Sequence, residues 1–271
     1  MNQPKSVNPA EMYENYFVPA MFLPWANTLL RHAALQLQER VLDVACGTGI
    51  VARQAAPLVG LTGLVAALDM NPAMLAVARN LHVPSGAAIV WQEGDAMALP
   101  FMDGTFDVVL CQHGLQFVPD RAAAVSEMCR VMAPGGRTLV IVLRALARHP
   151  VFEALMVSVA RHLNLPVSSV MTPFAMSDGE ELRALFTAGG FKKIDILSDS
   201  TAVRFPDPDR FVPLAVISSA AAIPAFAQLD EPSREALIAT VHEEIKPTID
   251  KYSDTGFVTF PMFAHIAVAT K

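Results

Sequence analysis

The stretch VLDVACGTGIVA, Val41 to Ala52, decides how the chain is read. It starts as a run of β-formers, breaks at Gly47 and Gly49, and resumes with residues that open a helix, the strand–turn–helix grammar of an open α/β sheet. The spelling Gly47-x-Gly49-x-x-Ala52 fits a loop that receives a dinucleotide pyrophosphate. Asp43, inside the strand, speaks against that ligand. A buried carboxylate beside a pyrophosphate faces like charge in a low dielectric, whereas beside a ligand carrying an ammonium and a sulfonium it is favourable.

Outward from this stretch the βαβ alternation continues. A helix through GIVARQAAPLV leads to the strand LVAALD, and Asn71-Pro72 caps the helix AMLAVARN. AAIVWQ and FDVVLC make two more strands. Asp120 caps a helix with Val125, Met128, Cys129 and Met132 on one face; Pro134-Gly135-Gly136 ends it and the strand TLVIVL follows. On the N-terminal side, Asn8-Pro9 opens a helical segment that Pro19 and Pro24 divide. On the C-terminal side come a helix near Val151 to His162 and another from Ser177, which forms a capping box with Glu180 and ends at Gly189-Gly190. FKKIDILSDSTAVRF and FVTFPMFAHIAVATK read as long strands. If these pair as antiparallel neighbours, the helical residues between about 207 and 250 are an insertion between them. His149, before Pro150, reads as a loop residue, and the burial of His265 in the last strand is open.

The expected organisation is an N-terminal helical segment, residues 1–40, folded over a cofactor site, and a core at 41–143. Residues 144–271 complete the sheet and contribute helical cap insertions at about 145–180 and 207–250. At 271 residues, 53% apolar and 17% charged, the chain has ample material for buried surface and little for extended disorder. Its net charge of −6 repels a phosphate backbone, which argues against a nucleic-acid partner. Cys46, Cys111 and Cys129 show no Cys-x-x-Cys spacing, so no zinc site or disulfide framework is expected and reduced thiols in a cytoplasmic protein are. The N-terminus lacks the apolar core of a signal peptide. Phe211 to Leu229 approaches membrane-spanning length but is interrupted by Pro213 and Pro224, and reads as broken helix in a cap.

In an open α/β sheet the ligand lies beyond the carboxyl ends of the strands. Asp69 lies 20 positions beyond Gly49, where a carboxylate takes the two hydroxyls of an adenosine ribose. S-adenosylmethionine joins that feature to the cationic end that Asp43 favours. VLDVACGTG, LDMNPAML, EGDAMALPF, FDVVLCQHGLQFVPD and VMAPGG, in this order and spacing, resemble a class I S-adenosylmethionine-dependent methyltransferase of the small-molecule branch, similar to methyltransferase domains 11 and 25. The likeness runs from about Val41 to Leu143.

The resemblance implies an α/β fold: a Rossmann-like, seven-stranded, mostly parallel sheet with an antiparallel last strand and a helical cap. It implies that Asp43, Ala45, Gly47 and Gly49 hold the methionine moiety, that Asp69 binds the ribose and that Met70 lies against the adenine. Asp95 and Ala96 read the adenine, while Cys111 and Gln112 flank the sulfonium. Tyr13 and Tyr16 lie on a helix that family members fold over the cofactor; simple packing is the other reading. Asp43 also reads as a tie for loop amides, and Asp95 as an ordinary turn acid. His113 is the candidate general base, with capping or pocket lining as its alternative, and Gln116 is the candidate acceptor contact.

The function expected is methyl transfer to a small, hydrophobic or aromatic metabolite at oxygen, nitrogen or carbon, with S-adenosylhomocysteine as product. A quinone-pathway C-methyltransferase is the alternative, since the VLDVACGTG and LPF segments of those enzymes look alike. From other classes come a non-catalytic S-adenosylmethionine binder and an NAD(P)-dependent dehydrogenase. No Tyr-x-x-x-Lys supports the dehydrogenase: Tyr13, Tyr16 and Tyr252 are followed four residues on by Phe17, Ala20 and Gly256. No metal, no nucleic acid and no stable membrane insertion are expected; the apolar lid residues read as an acceptor pocket or a homodimer contact.

Overall fold

The computed structural model describes residues 8–220 and 223–271. The chain forms two compact units interleaved in sequence. The first comprises Phe22–Arg144, Pro173–Ser200 and Phe263–Lys271; the second comprises the described residues up to Met21, Ala145–Thr172 and Thr201–Met262.

In chain order the helices are α1 (Pro9–Met12), α2 (Leu23–Ala33), α3 (Ile50–Val59), α4 (Pro72–Asn80), α5 (Arg121–Val131), α6 (Pro150–His162), α7 (Gly179–Ala188), α8 (Pro208–Ala220), α9 (Pro224–Ala227) and α10 (Glu231–Asp250). The strands are β1 (Arg40–Val44), β2 (Leu64–Asp69), β3 (Ile89–Glu93), β4 (Phe106–Gln112), β5 (Met132–Leu143), β6 (Lys193–Pro206), β7 (Ser253–Asp254) and β8 (Phe257–Thr270). Sheet order is β3-β2-β1-β4-β5-β8-β6. The first five strands pair in parallel, with Asp43 opposite both Ala67 and Leu110, and β8 runs antiparallel to β5 from Arg137↔Thr270 to Leu143↔Ala264. The expected mostly parallel sheet with an antiparallel last strand is therefore present. The added short β7 pairs with β8 through Ser253↔Val258 and carries too few residues for an alternating pattern.

Strands β1 and β4 and the Thr138–Leu143 half of β5 are buried almost throughout. That is why they read as near-continuous Val, Leu and Ile runs: a parallel sheet covered on both faces has no polar side to alternate with. The caps fix where helices begin. Asn71 Oδ1 accepts from Ala73 N at 2.9 Å and Asp120 Oδ1 from Ala123 N at 2.9 Å, each satisfying a first-turn donor. The cap of α7 is Asp178, one residue beyond the expected Ser177, and its carboxylate accepts from Glu180 N at 2.7 Å. Its extended backbone lets a short acid reach those amides.

Two proline expectations are corrected. Pro19 does not divide the N-terminal helix. It lies inside a π-helical run, Tyr13–Phe22, whose wider turn accommodates the ring and the missing donor. Pro24 sits in the first turn of α2, where no amide donor is required. In β5, Pro134-Gly135-Gly136 is a bulge within the strand: Phe106 pairs with Met132 but Val108 with Arg137. Met132 accordingly starts the strand and does not continue the α5 face.

In the second unit, α10 turns Leu237, Val241, Ile245 and Ile249 inward at i, i+4 spacing. Phe211 meets Phe205, Phe260 and Phe152 at ring-centroid distances of 5.3, 5.4 and 6.4 Å. His149 lies in the connection before α6, as expected of a loop residue, and is buried there with Nδ1 3.1 Å from the Ala145 carbonyl. Among the described residues no helix is long and apolar enough to cross a membrane. Phe211 to Leu229 falls into α8 and α9, with residues 221–222 outside the described residues.

Candidate active site

The carboxyl ends of β1, β2, β3 and β4 converge on a cleft of about 240 Å³ lined by Ala45, Asp69, Met70, Asp95, Ala96 and His113, together with Phe117 and Pro119. The site begins with the turn after β1. Ala45, Gly47 and Gly49 all adopt left-handed backbone, at φ of 55°, 55° and 82°. At Gly49 a side chain is excluded twice over, since a Cβ there would lie 2.3 Å from the Trp91 ring. Gly114, across the cleft, is held to glycine because a Cβ would lie 2.5 Å from the Ala45 Cβ.

Asp69 staples this turn to the end of β2. Its Oδ2 accepts from Gly47 N at 2.7 Å and its Oδ1 from Asn71 N at 2.8 Å. Asp43 lies deeper, wholly buried in β1, and accepts from Ala52 N at 3.0 Å, so it ties a first-turn amide of α3 to the strand and not an amide of the loop. Burial pushes its carboxyl up to about 8, the Ala52 amide opposing this and the nearby Asp69 charge adding to it. Asp95 is a turn acid and a cleft residue at once: Oδ1 accepts from Met97 N at 2.8 Å.

The residues after β4 separate. Cys111 points into the hydrophobic core with Leu42, Val44 and Val109, outside the cleft lining, and burial pushes its thiol up to about 12. Gln112 Nε2 donates to the Phe22 carbonyl at 3.0 Å, tying the start of α2 to the strand end. His113 takes left-handed backbone at φ 52°, donates its amide to Ile141 O at 2.9 Å and lines the cleft. Its imidazole stands edge-on to Phe22 and Trp25, at centroid distances of 6.0 and 5.7 Å. Gln116 is buried on the single turn Leu115–Phe117.

Tyr13 and Tyr16 belong to the second unit. There Tyr16 stacks on Phe205 at 6.3 Å, and its hydroxyl receives Arg210 Nη2 at 2.8 Å. Sequence reasoning missed the apolar wall Phe117-Val118-Pro119 and the Trp91 ring over Gly49. The Pro and the aromatic following Gly114 were the available signal for the wall. No group of three or more His, Cys, Asp or Glu side chains that could hold a metal ion occurs among the described residues.

This cleft fits a nucleoside better than a diphosphate. It holds two carboxylates, Asp69 and Asp95, with apolar surfaces from Met70, Met97 and Phe117 between and beside them, and no Lys or Arg among its lining. At about 240 Å³ it is smaller than the roughly 300–1,000 Å³ of sites that enclose a whole drug-sized ligand, and matches one part of an elongated cofactor.

The family model described as "Methyltransferase domain" matches residues 42–140. Those residues carry a methyltransferase domain. The ubiquinone/menaquinone biosynthesis C-methyltransferase of Saccharophagus degradans is 38% identical over 119 residues, 43% of this chain and 48% of that protein. The 2-phytyl-1,4-naphtoquinone methyltransferase of Synechococcus elongatus is 37% identical over 119 residues, 43% of this chain and 51% of that one. The alignments thus span about half the length of these curated relatives. Among solved structures, the Haemonchus contortus phosphoethanolamine N-methyltransferase 2, in complex with phosphomonomethylethanolamine and S-adenosylhomocysteine, aligns with TM-score 0.59 and 18% identity, covering 97% of this chain and 57% of that one. The [4+2]-cyclase SpnF aligns with TM-score 0.53 and 21% identity, covering 92% and 80%. A cyclase with this fold means that the fold alone does not assign methyl transfer.

Proposed function

We propose that this protein transfers the methyl group of S-adenosylmethionine to a small, largely apolar acceptor. The observation that carries the reading is the Asp69–Gly47 staple at the mouth of an adenosine-sized cleft, with Asp43 buried behind it. On this reading Asp69 keeps its loop-facing hydrogen bonds and accepts from the ribose hydroxyls with its remaining lone pairs. Asp95 and the Ala96 amide read the adenine between Met70 and Phe117. Asp43 and the Ala45–Gly49 backbone face the methionine moiety, where the amino group meets a carboxylate that ionises to receive it. Gln112 and His113 close the sulfonium side, with Cys111 packed beneath them and Gln116 toward the acceptor.

Bound cofactor supplies an electrophilic methyl carbon. The chain's contribution is orientation and exclusion of water, for which effective molarities of about 10⁵ to 10⁸ M are attainable. His113, clamped by Phe22 and Trp25 and lining the cleft, is placed to take a proton from an acceptor hydroxyl or amine.

The quinone C-methyltransferase reading is favoured by the names of the curated relatives. Their similarity covers 43% of this chain and does not choose the acceptor. The net charge of −6 supports a small molecule over a nucleic acid, and the buried free thiols of Cys46 and Cys111 suit the reducing cytoplasm. Self-association of apolar cap surface into a homodimer belongs to the same proposal. Calorimetric titration with S-adenosylhomocysteine and with NAD tests the cofactor. Binding of NAD alone refutes the reading, and binding of S-adenosylhomocysteine without turnover over a broad acceptor panel assigns a sensor.

A further inference from the structure

Residues 94–105 run from the end of β3 to β4 outside any helix or strand, and Asp95, Ala96 and Met97 within them line the cleft. This turn is closed by a bridge from Asp95 to Ala98 and by Met97 N, which donates to Asp95 Oδ1 at 2.8 Å. Its upstream side is tied to the sheet, where Gly94 N donates to the Asp69 carbonyl at 3.1 Å. Its downstream side rests on Leu99, whose side chain is buried in one cluster with Ala96, Val125 and Met128. The backbone of such a buried segment must find partners for its N–H and C=O outside a sheet ladder. Two side chains of α5 supply them.

Glu127 and Arg130 stand three residues apart on α5, neighbours on one helical face. Glu127 Oε2 accepts from Leu99 N at 2.8 Å, and Arg130 Nη2 donates to Leu99 O at 2.9 Å. Arg130 Nη1 donates to Phe101 O at 2.8 Å and to Asp103 Oδ1 at 2.7 Å. The pair is itself joined from Nε to Oε1 at 2.6 Å and from Nη2 to Oε2 at 2.7 Å, a bidentate fork of fixed geometry. Those bonds hold the Glu127 carboxyl below the usual carboxylate range against the opposing effect of burial. An exposed ion pair contributes little by itself. This one is partly buried and grips both backbone groups of the residue that follows the cleft-lining turn.

We propose that Glu127 and Arg130 are positioning residues for base recognition: acting through Leu99, they hold the Asp95–Met97 turn where it distinguishes adenine from other bases, although neither lines the cleft. This rests on the S-adenosylmethionine reading and adds to it two residues that set its base specificity. Adenine offers an amino group to the Asp95 carboxylate and a ring nitrogen to the Ala96 amide. Hypoxanthine reverses both, placing an oxygen against the carboxylate and a ring N–H against the amide. A turn held in place rejects that mismatch, whereas one released at Leu99 retreats from it and also loses its ready-made fit to adenine.

The test is calorimetric binding of S-adenosylhomocysteine and S-inosylhomocysteine to the full chain. Wild type is expected to prefer the adenosyl compound about tenfold or more, because the inosyl compound leaves polar groups of the site unpaired. Arg130→Ala and Glu127→Ala are each expected to cut that preference to about threefold or less, chiefly by weakening the adenosyl compound. Glu127→Gln, whose amide oxygen still accepts from Leu99 N, should keep more of the preference than Glu127→Ala. Asp103→Asn, at the exposed side of Arg130, should keep all of it. A smaller folded fraction lowers both apparent affinities alike and leaves their ratio unchanged, so the ratio separates positioning from stability. A preference that survives in both alanine variants, one lost as deeply in Asp103→Asn, or a wild type that binds the two compounds equally overturns the proposal. Should Arg130→Ala fail to fold, Glu127→Ala decides. Failure of wild type to bind S-adenosylhomocysteine defeats the cofactor reading itself and is seen before any variant is compared.

Discussion

The Asp69 carboxylate and the Gly47 amide are joined by a 2.7 Å hydrogen bond that spans from the end of β2 to the turn after β1. One side chain therefore holds the glycine turn in shape and faces the cleft. Since its other oxygen accepts from Asn71 N, the carboxylate is fixed at both oxygens before any ligand binds, and little ordering is left for binding to supply.

Asp69→Ala leaves two backbone donors without their acceptor and removes the proposed ribose contact. Cofactor affinity is expected to fall by about 1.5–3 kcal/mol, the range for charge-assisted hydrogen bonds. Asp69→Asn keeps one acceptor oxygen and should fall between wild type and Ala. Titration with S-adenosylhomocysteine checks both, and an unchanged affinity in Asp69→Ala refutes the ribose assignment.

Gly49→Ala is penalised by φ of 82° and by collision with the Trp91 ring. The backbone part costs roughly 1–2 kcal/mol for a left-handed residue with a Cβ. Trp91→Leu in the same chain should relieve the collision and leave the backbone part, so the double variant is expected to be less destabilised than the sum of the singles. Urea denaturation of the four proteins measures the coupling; strict additivity would show that Trp91 yields freely.

His113→Ala separates base catalysis from proximity. A fall in turnover of about 10²-fold or more, with cofactor affinity intact, is the outcome for a general base. A fall of only a few-fold assigns the rate to orientation alone.

The fold was legible from Val41 onward because the turn chemistry there is local: paired glycines, Asn71-Pro72 and Asp120 each determine the structure within a few residues of themselves. Pro19 misled because the penalty it imposes on an α-helix is relieved by a π turn, which no residue pattern announces. His149 does stand in the connection that its place before Pro150 announced, but its burial, with Phe152 at 6.4 Å, depends on packing that the dipeptide does not carry. The helical insertions at about 145–180 and 207–250 were read from the loosened strand spacing after Leu143, whereas the residues at which each unit takes over, such as Pro173 and Phe263, depend on segments meeting across long sequence separations. In the site, the strand-end carboxylates were readable by register. The direction of Cys111 was not: adjacent residues on β4 point to opposite faces, and the sequence does not say which face holds the core.

Asp43 yields the pH prediction. Burial pushes its carboxyl from the ordinary carboxylate range up to about 8, so the folded chain keeps a proton that the unfolded chain releases. The associated stability is fully present below about pH 4 and is lost as pH rises toward 8, at about 1.4 kcal/mol per pH unit while the two states differ by a whole proton. Asp107 and Glu127, held below the usual carboxylate range by hydrogen bonds from Arg40 and Arg130, work in the opposite sense at acid pH. Asp43→Asn isolates the effect, because an amide oxygen still accepts from Ala52 N and nothing titrates. The stability of the variant relative to wild type is expected to rise between pH 5 and pH 8 in denaturant titrations; a constant difference would place the Asp43 carboxyl near its ordinary value. The same group predicts proton release on cofactor binding at pH 7, since a cationic ligand favours the ionised carboxylate. Calorimetry in buffers of different ionisation enthalpy measures it, with wild type releasing close to one proton and Asp43→Asn none, at weaker affinity. Equal proton release in the two proteins removes Asp43 from the methionine end of the site.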